Sequence, residues 1–165
     1  MARVTWPIDE VLEGLASAPV RIAELTKGVA AARLKAAPEP GEWSVVEVLA
    51  HLRACADVWG GHIAAILAEE HPTRRGINPR QWIKDKDYGS LAFGPSFKAY
   101  RVQREELLAL VRPLTEAQWS RTCTIVGAGK PLVVEARFYA TKLFEHERPH
   151  LSQIAKTVAA VRPPR

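Results

Sequence analysis

The sequence predicts an all-α fold: a four-helix bundle with a long loop between its second and third helices. Three observations carry that expectation. Apolar residues recur at three- and four-residue spacing in four separate runs. A firm loop or breaker signal separates each run from the next. The length of 165 residues suits one packed core, so a single domain over residues 1–165 is expected. A content of 47% apolar and 25% charged residues fits a globular chain and argues against a disordered one.

The first run begins near Pro7, a residue suited to an opening helical turn, and continues through Val11, Leu15 and Ile22. Pro19 lies inside it and is expected to kink or break the helix. Residues 36–41, A-A-P-E-P-G, form the next loop. Ser44 and Glu47 then spell a capping box, with Trp43 and Val48 at the staple positions beside it. The helix that follows is expected to reach about Glu70. Its stripe is Val45, Val48, Leu52, Cys55, Ala56, Trp59, Ile63 and Ile66, and His51 and His62 lie along one edge of that stripe. Gly60 and Gly61 weaken the helix without ending it.

Residues 71–94 read as a long irregular connection, a length typical of lids and binding loops. From His71 to Arg104 there are eight basic side chains against two acidic ones, a net of +6 in a chain whose total is +5. Such a patch attracts small anions or nucleic acid, or is simply solvated. A third helix is expected from Pro95 to Arg112 with Phe97, Tyr100, Leu107, Leu108 and Val111 inward. Thr115 and Gln118 form a second capping box over a turn or two, and residues 121–130 suit a short extended piece or hairpin. The last helix is expected from Leu132 or Val133 to Val161, ahead of Pro163 and Pro164.

That last helix carries H-E-R-P-H, with His146 and His150 four residues apart on one helical face. At about 100° per residue Tyr139 shares their direction, at about 20° from His146. Glu147 falls near 100°, in the middle of the buried face, where a carboxylate needs a partner. The H-E-x-x-H spelling invites a zinc-protease reading, but no His, Asp, Glu or Cys follows His150 to serve as a downstream ligand. Pro149 between the histidines argues against it too. The third ligand must lie upstream, and His51, about two turns into a firmly placed helix, is the natural partner. Three imidazoles leave a coordination position open for water or substrate. Three unrelated histidines, each satisfied by its neighbours, are the plain alternative. His62 is eleven residues beyond His51, about 16 Å along a helix, and is excluded from the same ion. Cys55, one turn from His51, reads as a small core residue near the site.

Two stretches resemble a known family. P-E-P-G-E-W-S-V-V-E-V-L-A-H-L (residues 38–52) is similar to the opening signature of the DinB/YfiT-like superfamily, and H-E-R-P-H-L-S-Q-I (residues 146–154) to its closing H-x-x-x-H-x-x-Q-I. The resemblance implies a four-helix bundle holding a divalent metal, zinc or nickel first, through His51, His146 and His150. It further implies chemistry in which a low-molecular-weight thiol serves as cofactor, and a homodimer as the assembly.

Two activities fit those parts: transfer through a metal-activated thiol, and metal-assisted hydrolysis of a small molecule. Glu147 would be a base or an acceptor that orients a histidine, and Tyr139 would line the substrate pocket. A non-catalytic bundle that binds a metal or small ligand is the alternative. Nucleic-acid binding is disfavoured, because the charge excess is small and the aromatics fall at core spacing. No apolar run approaches the roughly 18 residues of a membrane span, and the first ten residues hold no apolar segment of signal-peptide length. Two cysteines, Cys55 and Cys123, are too few for a disulfide framework. A cytoplasmic location is the expectation.

Overall fold

Ser44 fixes the start of the central helix, α3 (Val45–Ala68). Its hydroxyl accepts from the Glu47 backbone N–H at 3.2 Å, and the Glu47 carboxylate accepts from the Ser44 N–H at 2.7 Å. Two of the helix's orphan donors are thereby satisfied. Because Ser44 is itself buried, S44A is expected to cost about 1–2 kcal/mol in urea unfolding; a change below about 0.3 kcal/mol would show the cap to be idle.

The chain is described here from a computed structural model over residues 5–163, so Pro164 lies outside the described residues. Four long helices build the bundle: α1 (Ile8–Thr26), α3, α5 (Phe93–Val111) and α7 (Ala136–Val161). A short α2 (Ala31–Lys35) follows α1. Helix α3 is apolar nearly all round and packs against both α7 and α5. Helix α1 covers the opposite side of α7 and α5. Gly60 and Gly61 do not interrupt α3. Gly14 permits the close approach of α1 to α7: a Cβ placed there would lie 2.1 Å from Cε2 of Phe144.

The interior divides into two apolar clusters. One joins Val11, Leu15, Trp59, Ile63, Leu143 and Phe144, and the other joins Ile22, Val48, Leu52, Tyr100, Ile154 and Val158. The inward residues expected for the third helix are buried except Phe97, which is half-buried.

Several local expectations are corrected. Pro19 does not end α1, which runs through it. A proline deprives the carbonyl four residues back of its partner, here that of Leu15. Arg104 Nη1 donates to that oxygen at 2.7 Å, so the orphan is satisfied from another helix. The 71–94 connection is not irregular throughout. It contains β1 (Thr73–Arg75), α4 (Pro79–Asp85) and a 3-10 turn over Tyr88–Ser90. A single carboxylate anchors it: Asp57 accepts from Trp82 Nε1 at 2.9 Å, from the Tyr88 hydroxyl at 2.5 Å and from Gln103. Arg53 lies 3.9 Å over the Tyr88 ring.

The last helix begins at Ala136, not at Leu132 or Val133. Those two residues belong to β3 (Leu132–Glu135), which pairs antiparallel with β2 (Thr122–Val126) as a hairpin, Cys123 opposite Val134. Strand β1 adds to β2 in parallel, with Thr73 opposite Thr124, so a three-stranded sheet of order β1-β2-β3 caps the bundle. Between α5 and this sheet the second capping box opens one turn, α6 (Glu116–Trp119). His71 bridges the end of α3 to β2, its ring nitrogens 2.7 and 2.9 Å from the hydroxyls of Thr122 and Thr124. Among the described residues no helix is long and apolar enough to cross a membrane.

Candidate metal centre

Helix α3, in its second turn, and α7, near its middle, each bring one face to a common point. His51 comes from α3, and His146 and His150 from α7. The three rings surround one another, with centroids 5.0 Å apart for His51–His146, 4.9 Å for His51–His150 and 4.7 Å for His146–His150. Nε2 of His51 faces Nε2 of His146 at 2.9 Å. Between two neutral imidazoles only one hydrogen can occupy that line, so at least one lone pair points into the centre. Pro149 does not disturb this arrangement: α7 runs through it, and both Pro149 and Glu145, whose carbonyl it orphans, are exposed.

Electrostatics keeps the centre neutral. Burial, then the neighbouring His150 and His146, lowers His51 to a pKa of about 4. Burial and His150 also lower His146. His51 and His146 are therefore unprotonated at neutral pH, the form in which imidazole ligates a metal. Nδ1 of His150 lies 2.8 Å from Oε1 of Gln153, to which it donates. Gln153 is the glutamine of the closing motif, one turn on along the same face. Trp43 stands 5.3 Å from His51 and Trp59 5.1 Å from His146, closing the centre with aromatic walls.

Cys55 lies closer to this point than a core residue needs to. Its Sγ is 3.5 Å from Nε2 of His146 and 3.7 Å from Nε2 of His51. The donor atoms of His51, Cys55 and His146 all fall within 4.8 Å of one another. Burial pushes the Cys55 thiol up to about 12.

Glu147 is buried, as its place on the helix requires, and it points away from the imidazoles. Its Oε1 accepts from the Tyr100 hydroxyl at 3.0 Å and from Arg104 Nη2, and its Oε2 from Arg104 Nη1 at 3.0 Å. Burial alone would lower the Arg104 pKa, but the Glu147 carboxylate more than compensates and holds it above the ordinary guanidinium value. Burial, then Glu147, raises Tyr100 well above the usual phenol value. No carboxylate–histidine bond is made by Glu147, so neither the base nor the histidine-orienting role has a contact here. In the sequence Arg104 sits inside the basic stretch and carries no signal of its partner. Tyr139 stacks on His62 at 4.9 Å and is 5% exposed, which puts its ring in the core rather than on a substrate surface.

One side of the centre is open. A groove of about 830 Å³ runs between the 38–43 loop and the second half of α7, with Trp43, His150, Gln153, Lys156, Glu39 and Glu42 on its walls. His150 thus joins the buried centre to the surface.

The fold agrees with that of a related protein of known structure. Residues 15–154 match the DinB superfamily, and the chain belongs to that superfamily. It is similar to a Geobacillus kaustophilus protein named "Putative metal-dependent hydrolase GK0616", with 25% identity over 156 residues, covering 90% of this chain and 82% of the other. Its backbone matches that of YfiT from Bacillus subtilis, described as having an unusual four-helix bundle topology. The TM-score is 0.78 with 19% identity, over 95% of this chain and 90% of YfiT.

Proposed function

We propose that this chain is a metal-dependent enzyme that binds a divalent ion, zinc or nickel, through His51, His146 and His150 and acts on a small molecule in the adjoining groove. The observation that supports this most is the facing of two neutral Nε2 atoms at 2.9 Å, one on the buried His51 and one on the half-buried His146, with a third imidazole ring beside both. Metal–nitrogen bonds of about 2.0–2.1 Å ask the facing nitrogens to part by only about half an ångström. The names of the relatives, a "Putative metal-dependent hydrolase" and a "probable metal-dependent hydrolase", favour hydrolysis.

A metal at such a centre lowers the pKa of a bound water or thiol and polarises a substrate oxygen. The protein's own share is positional. Gln153 holds the His150 ring in place through its Nδ1. Trp59 excludes bulk water from the inner side, beside His146. The buried Glu147–Arg104–Tyr100 network fixes the phase of α7, and so the direction of both its histidines. Thiol-dependent transfer is the second reading. Lys156 on the groove wall, and Arg80 5.7 Å over the Trp43 ring, offer positive charge to the carboxylates of an anionic thiol. A homodimer and a cytoplasmic location go with the proposal, the first on family resemblance and the second on composition.

The test is metal content after purification without a histidine tag, followed by a screen of esters, amides and thiol-acceptor pairs. About one ion per chain is expected, with H51A and H146A each losing it while keeping the helical circular dichroism of the parent. A wild-type protein that takes up no zinc or nickel at micromolar concentrations would sink the reading.

A further inference from the structure

We propose that Cys55 is a fourth protein donor to the ion at this centre, which makes the site one of mixed nitrogen and sulfur ligands. The inference rests on the metal reading above and extends it to a residue outside the three histidines.

The geometry is that of two matched pairs. Helix α3 presents His51 and Cys55, and α7 presents His146 and His150, each pair four residues apart and therefore on one face of its helix. Bundles build metal sites from such inward pairs on facing helices. Bonds of about 2.0–2.1 Å to nitrogen and about 2.3 Å to sulfur, opened to a tetrahedral angle, separate the two donor atoms by about 3.6 Å. Sγ of Cys55 lies 3.5 Å from one ring nitrogen and 3.7 Å from the other. The sulfur thus lies at ligand separation from both nitrogens, and a water or substrate entering from the groove would be a fifth ligand, the expanded coordination that zinc can take.

The core-filler alternative accounts for the burial of Cys55, at 1% exposure, but not for an Sγ within polar contact of two ring nitrogens. A small apolar filler has no reason to turn toward them. On binding, the thiol proton passes to solvent and the thiolate holds the ion from the inner side, while His150 remains the ligand next to the groove. A thiolate is a soft donor, so the site should prefer zinc, cobalt or copper(I) and refuse magnesium, calcium and manganese.

Cobalt(II) reports the ligand directly, because thiolate coordination gives an intense sulfur-to-cobalt charge-transfer band in the near ultraviolet that imidazole ligation lacks. The full chain loaded with cobalt(II) is expected to show the band. C55A and C55S should lose it, C123A should keep it, and a chelating indicator should report cobalt affinity in C55A and C55S at least tenfold weaker. Melting of the metal-free variants near the wild-type temperature shows that the fold is intact, and C55S serves if C55A is unstable. Cobalt bound without the band would overturn the sulfur ligand and leave the three-histidine reading standing. No cobalt or zinc bound at all would overturn both.

Discussion

E147Q is expected to lose about 3–5 kcal/mol of unfolding free energy in urea at neutral pH, the largest effect of any conservative change in this chain. Arg104 is 2% exposed, and both of its Nη groups already donate to Glu147. An amide at 147 keeps the shape but removes the countercharge and turns an N–H₂ toward the guanidinium donors. The positive charge is then buried without compensation. Against a total of roughly 5–15 kcal/mol for an ordinary domain, the variant should melt far below the parent. Replacing the pair with apolar residues, R104M with E147L, should recover part of the loss. Recovery stays incomplete because the Leu15 carbonyl, orphaned by Pro19, loses the donor Arg104 supplied. Adding P19A returns a backbone N–H to that carbonyl and should recover more. A loss in E147Q below about 1 kcal/mol would show that Glu147 does not neutralise Arg104.

The metal-free protein should lose stability as pH falls from about 6.5 to about 4, and His51 is the main cause. In the unfolded chain His51 has its ordinary value of 6.5; in the folded chain it is held at about 4. Between those values the unfolded chain binds the proton and the folded chain does not, so acidification favours unfolding. Above 6.5 the ring is neutral in both states and His51 contributes no slope; below about 4 the loss is complete. At about 1.4 kcal/mol per pKa unit the effect is on the order of 3 kcal/mol, and His146, lowered as well, adds in the same direction. Denaturant midpoints measured at several pH values in the presence of a chelator give the curve. H51A should flatten it, and an identical slope in that variant would assign the titration to other groups.

The parts of the fold that the sequence made legible are those decided within a few residues. The Ser44–Glu47 box is a contact between neighbours in the chain and is present as expected. The phase of α7 follows from 3.6-residue periodicity and correctly buries Glu147 and Leu143. What stayed hidden depends on distant residues. Strand β1 exists only because β2, some fifty residues later, pairs with it, and three residues carry no period of their own. Leu132 and Val133 continue an apolar pattern that suits either a strand or a helix, and only the hairpin decides. Pro19 is tolerated because of an arginine on another helix. At the site, the histidine spacing was visible, while the approach of Cys55 required knowing how deeply α7 packs on α3.

That close packing has a counterpart between α1 and α7, where Gly14 lies under the ring of Phe144. Any side chain at 14 would meet the aromatic ring, and any larger group at 144 would press on α1. The two positions are therefore sterically coupled. A relative that carries alanine or serine at the first should carry a smaller residue at the second, or hold its first helix farther out. Because α7 bears His146 and His150, such a shift would alter the spacing of the candidate metal centre from the far side of the bundle.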